Sequence, residues 1–180
     1  MAKTSIVEPV SLISGLIYGD FAVCDRALAA MEDKFGPVQF ESESFPFTHT
    51  DYYAEEMGAP LTRKFIAFER LIGPDTLKEA KEYTIRLERK YLHAAGGRQV
   101  NLDPGTVGLA NVVLVSTKDF AHRVYLGDGI FGEVTMIYSQ KTYQPLPWTY
   151  PDYREPAVIE FLLRVRENLK EEIIALRQKR

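Results

Sequence analysis

Residues 10–20, VSLISGLIYGD, decide the reading of the fold. The first nine are mostly large apolar residues at both odd and even positions, so the stretch reads as a strand buried on both faces and central in its sheet. Gly19-Asp20 ends it, and Asp20 is placed to cap a helix by accepting amide hydrogens of its first turn. Phe21, Cys24, Leu28, Met31 and Phe35 then recur on one helical face, and Gly36-Pro37 stops that helix.

Residues 38–45, VQFESESF, alternate apolar or small residues with Gln39, Glu41 and Glu43, the pattern of a strand with one wet face near a sheet edge. Residues 64–72, KFIAFERLI, form another strand, and Gly73-Pro74-Asp75 opens a second helix. Its buried stripe is Leu77, Ala80, Thr84, Leu87 and Tyr91; His93 lies at its end as a partner for the helix dipole, and Gly96-Gly97 terminates it. A short strand over 98–102 is closed by Asp103-Pro104-Gly105, read as a turn, and 112–117 is a further apolar strand. Two strands over 121–126 and 130–138 flank Gly127-Asp128-Gly129, whose glycines permit the positive φ angles of a tight hairpin. An aromatic and proline-rich strap over 143–156 leads to a last helix with Val158, Leu162, Val165, Leu169, Ile173 and Leu176 on one face.

The order strand, helix, strand, strand, helix, strand predicts an α/β (α+β) fold with a ferredoxin-like βαββαβ core and antiparallel sheet over 10–103. A C-terminal β-hairpin, the strap and the long C-terminal helix over 106–180 extend it within one domain, 1–180. Following strand directions through that unit puts His49 and His122 at one end of the sheet, near Asp20 and residues 148–152, around a concave pocket. Asp103 and Asp128 fall at the other end.

Composition bounds the partners. With 46% hydrophobic and 26% charged residues, the chain has an ordinary globular composition. A formal charge of −3 supplies no positive field for nucleic acid or an anionic bilayer. The lone Cys24 excludes an internal disulfide and agrees with a reducing compartment. Residues 1–20 carry Lys3 but Ser11, Ser14 and Gly15 interrupt the apolar run, so no signal peptide is expected, and no run reaches the roughly 20 apolar residues of a membrane span. A cytoplasmic location is expected. Oligomeric state is not legible.

Five segments carry a resemblance: SFPFTHTDYYAEEMG at 44–58, RKFIAFERLI at 63–72, VNLDPG at 100–105, STKDFAHRVYLGDGIFGEVT at 116–135 and QPLPWTYPDYR at 144–154. Together they resemble the bacterial and archaeal family catalogued as domain of unknown function 4416, over nearly the whole chain. The resemblance implies no activity.

Candidate chemistry therefore rests on the residues. The loop over 46–62 is longer than an ordinary hairpin connection, with Phe47, Tyr52, Tyr53 and Met57 to anchor it and His49 and Asp51 as acid/base candidates. The bland alternative is that His49 and Asp51 cap a turn. Lys118, Asp119, His122 and Arg123 form a second cluster able to hold an anion, or equally a charged surface turn. His49, Asp51, Asp119 and His122 are ligand types for zinc, manganese or iron, but no HExxH-like spacing is present, so a divalent metal is not favoured and no cofactor is indicated. Trp148 and Tyr150 either wall a planar ligand or join the core. Glu133 either points inward or faces water. No GxxxxGK[ST] loop, nucleophile elbow or dinucleotide fingerprint occurs, so no enzyme class is indicated.

The reading is a protein that binds or acts on a small anionic ligand, phosphate- or carboxylate-bearing. Its catalytic candidates are His49, Asp51 and His122; its binding candidates are Tyr52, Lys118, Asp119, Arg123, Trp148 and Tyr150. The alternative is a non-catalytic interaction or regulatory module using the strap and terminal helix.

Overall fold

β1 (Val10–Tyr18) runs through the middle of the sheet, antiparallel to β4 (Thr62–Ile72) on one side and β5 (Val100–Val107) on the other. The computed structural model describes residues 7–94 and 96–179; Lys3, part of the leader reading, lies outside the described residues. Even positions of β1, namely Leu12, Leu16 and Tyr18, pack against α1 (Phe21–Phe35) and α3 (Leu77–Glu88). Odd positions face the other way, where Ile13 meets Phe65, Ala67 and the apolar stripe of α4 (Pro156–Gln178). Both faces of the strand are thus buried, as large apolar residues at both odd and even positions require.

The helices form for local reasons. Asp20 Oδ1 accepts the Ala22 amide at 2.8 Å and caps α1. In α4 the buried stripe runs from Val158 to Ile173, while Leu176, expected on the same face, is exposed. α3 stops at Glu88, five residues before His93, so the histidine sits in a turn and not on the helix end. Among the described residues no helix is long and apolar enough to cross a membrane.

The nine strands of the described residues belong to one antiparallel sheet; seven follow the order β2-β4-β1-β5-β6-β8-β7, and the other two pair onto β4 and β8. The wet strand expected over 38–45 is two pieces, β2 (Val38–Glu41) and β3 (Phe45–Pro46), each paired to β4. Residues 47–61 follow, with α2 (Ala54–Met57) inside them; Phe47, Tyr53, Met57 and Leu61 pack on Ile17 at the β3 end of the sheet.

Asp103-Pro104-Gly105 is not a turn: it lies inside β5, opposite Gly15, Ser14 and Ile13. A proline survives there because the ladder from β5 to β6 (Asn111–Ser116) begins only at Gly105. Before that point β5 has no strand on its outer side, and α3 side chains take the place of one. Glu88 accepts from the Leu102 amide at 2.6 Å, and Lys81 donates to the Leu102 carbonyl at 3.1 Å. Pro104 shares Leu102's parity, so its missing N–H falls on that strandless side.

The hairpin also differs from expectation. Gly127, Asp128 and Gly129 do take positive φ angles of 102°, 53° and 73° and join β7 (Val124–Gly127) to β8 (Ile130–Ser139). However, β8 lies between β6 and β7 and is antiparallel to both, so β7 runs the same way as β6. The turn therefore sits, in register, at the Ser116 end, and Asp128 is not at the opposite end from Lys118. Asp103 is not at an end either. The outer border of β8 is covered piecewise: by β7 beside 130–132, by the strap, whose Trp148 indole and Thr149 hydroxyl donate to the Val134 and Thr135 carbonyls, and by β9 (Thr142–Pro145) beside 136–139.

Candidate functional site

Glu133, one of whose two sequence readings is inward, is buried at the centre of a polar cluster. Its side chain is 2% exposed, with Arg123 Nε at 2.6 Å, His122 Nε2 at 3.0 Å and the Thr135 hydroxyl at 3.2 Å. Burying a carboxylate this far is tolerable because it is both ion-paired and hydrogen-bonded. Arg123 spends its other donors on the Ser116 hydroxyl, the Lys118 carbonyl and the Tyr150 hydroxyl, at 3.1, 2.8 and 2.8 Å. Burial alone would make this guanidinium less basic; Glu133 and Tyr150 outweigh that and raise its pKa. With its donors so occupied, Arg123 braces the cluster and has little left for a ligand.

His122 is held differently. Its ring is nearly parallel to Trp148 at 4.9 Å and to Phe120 at 6.0 Å, both at 12°. The bond to Glu133 engages Nε2 and leaves Nδ1 without a partner among the described residues. Such a ring accepts from a ligand through Nδ1 when neutral and donates to it when protonated. His122, Glu133 and Trp148 line a groove of about 650 Å³. Its floor is the apolar sheet face of Val113, Val124, Gly132 and Val134; Pro74, Leu77 and Lys78 at the start of α3 form the far wall.

The other candidates lie apart from this groove. The Lys118 ammonium sits 4.0 Å from the centre of the Tyr52 ring, which brings the two polar loops together, as strand direction predicted. Yet His49 is not among the groove's lining residues; its Nε2 meets Glu155 at 3.2 Å, at the start of α4. Asp51 contributes its carbonyl to a local turn, accepting from Ala54, while Thr50 caps Tyr52. Asp119 is exposed and makes no ion pair or side-chain hydrogen bond among the described residues. No group of three or more His, Cys, Asp or Glu residues there converges to hold a metal.

Sequence reasoning missed a second polar centre. Arg63, 2% exposed, lies across Gly15 on the α4 face, its guanidinium 4.5 Å from the Phe65 ring centre. A Cβ on Gly15 would come within 2.6 Å of Nη2, so any other residue there would force the guanidinium to shift. Asp152 approaches Nε at 2.9 Å and Asp103 approaches Nη1 at 3.6 Å, but neither approach has hydrogen-bond geometry, and the buried Tyr153 hydroxyl is also unpartnered. Burial would weaken the guanidinium's basicity; Asp152, Tyr153 and Asp103 outweigh it and raise the pKa. Burial would likewise raise Asp103, but Lys81, Arg63 and the Asn101 amide hold it below the usual carboxylate value.

The family model described as "Domain of unknown function (DUF4416)" matches residues 8–169, and the chain belongs to that family. No curated protein and no solved structure matches it.

Proposed function

From membership of a family whose description states no activity, we propose that this protein binds a small organic anion with an apolar body in the groove between α3 and β8. The observation that carries the reading is His122, stacked on Trp148 and fixed by a buried Glu133 whose charge Arg123 already matches. The ligand body lies on Val113, Val124 and Val134, and its carboxylate or phosphate accepts from Nδ1 of protonated His122. An apolar groove with a few converging polar groups is the usual form of a small-molecule site. His122 is the acid/base candidate within it; His49, Asp51 and Lys118 belong to a neighbouring surface.

Two wider readings go with this one. A ferredoxin-like core is supported by the order β2-β4-β1-β5 with α1 and α3 on one face. A cytoplasmic, reducing setting is supported by the lone buried Cys24, whose thiol burial pushes up to about 11. The alternative of an interaction module draws less support, because the terminal helix spends its apolar stripe on the sheet.

Thermal shift with benzoate, phenyl phosphate, adenosine monophosphate and inorganic phosphate tests the site. A bound member raises stability by RT ln(1 + [L]/Kd), about 2.7 kcal/mol at a hundredfold excess over Kd. Stabilisation is expected from members with an apolar body and not from inorganic phosphate alone, and His122→Ala and Trp148→Ala should each abolish it. A response that survives both substitutions would refute the assignment.

A further inference from the structure

The sheet's two borders are treated unequally. The β2–β3 border is short and broken at 42–44; it carries Glu41 paired to Lys64, and Pro46 removes a donor. These are the devices by which native proteins blunt an edge strand. β7 is as short, and its register with β8 shifts between Tyr125 and Gly127, but it carries neither a charge nor a proline. Its outer side faces no strand among the described residues, and it presents Val124, Tyr125 and Leu126 at 69%, 61% and 42% exposure, with Phe120 exposed just before it. The charges at its two ends are already matched: Arg123 by Glu133, Asp128 by Lys78.

We infer that β7 is a self-association edge, pairing antiparallel with β7 of a second copy of this chain about a two-fold axis. Three properties favour a copy over an unlike partner. The strand is uncharged and apolar on both faces, so it can lie against itself without burying a charge. A two-fold contact needs one patch complementary to itself, and an apolar strand edge with free amide and carbonyl groups is that. Val124 and Leu126 also line the groove, so the copy's strand would continue its floor. The inference stands on edge chemistry and does not depend on what the groove binds.

Four residues of strand and the flanking Phe120 make a small contact, so the dimer should be reversible, with dissociation in roughly the micromolar range. Sedimentation velocity on the full chain from about 1 to 200 µM should show monomer passing to dimer, and Tyr125→Lys should abolish the transition while the melting temperature holds. Because Tyr125 also touches Phe131, Val124→Lys provides the same test with a side chain free of that contact. Hydrogen exchange at residues 124–126 should slow as concentration rises. Wild type remaining monomeric at the highest concentration, or either lysine variant dimerising as well as wild type, would overturn the inference.

Discussion

Arg63→Met should lower the stability of the folded chain by about 3–5 kcal/mol, the usual cost of removing one partner from a buried ion pair. The aliphatic stem is largely kept, so the loss isolates the guanidinium. Without it Asp152, buried, loses its cation, and Asp103, 29% exposed, keeps Lys81 alone as an ion-pair partner among the described residues. The effect carries a pH signature. Asp103 has a depressed pKa in the folded state, so its contribution is present above the unfolded value of about 3.9 and fades as pH falls through the lower folded value. The gap between wild type and Arg63→Met should therefore be widest near neutrality and narrow in acid. Denaturant unfolding at pH 7 and pH 3 measures this; a loss below about 1 kcal/mol, or one that is the same at both pH values, would contradict the role given to Arg63.

Leu169→Asp should unfold the protein or cost more than about 4 kcal/mol, since it places an unpaired carboxylate under the centre of α4. Leu169 is fully buried on the α4 stripe that covers the sheet. Leu169→Ala loses packing alone and should cost about 2–5 kcal/mol. Lys170→Asp, on the wet side, should stay within about 0.5 kcal/mol of wild type. Thermal melts of the three variants give the ranking, and an unchanged melting temperature for Leu169→Asp would mean that α4 is not docked.

Much of this architecture is written in local patterns. The two-sided apolar run of β1, the Asp20 cap, the stripe of α4 as far as Ile173 and the Gly127-Asp128-Gly129 turn are properties of neighbouring residues, and each appears where its pattern says. What was hidden depends on partners distant in sequence. Asp103-Pro104-Gly105 has turn chemistry, yet it forms strand because Glu88 and Lys81 satisfy the backbone beside it. The hairpin's turn was legible but its placement was not, since nothing local says that β8 inserts between β6 and β7. Gly15 inside an apolar strand was a usable signal of close approach. Paired with Arg63, which shares the parity of Phe65 and Ala67, it marks the buried guanidinium.

The candidate site divides along the same line. Parity with Phe131 leaves Glu133 either inward or facing water. That Arg123 would be consumed in bracing it, and that His122 would turn to the groove while His49 turned to Glu155, are facts of tertiary placement.

Trp148 is the only tryptophan in the chain and lines the groove, so selectively excited indole fluorescence reports on it. Titrating the full chain with benzoate, phenyl phosphate and adenosine monophosphate should change that emission saturably for at least one of them, and His122→Ala should remove the response while leaving the melting temperature of the free protein near wild type. Emission indifferent to all three, or a saturable change that persists in His122→Ala, would contradict a ligand site built on His122 and Trp148.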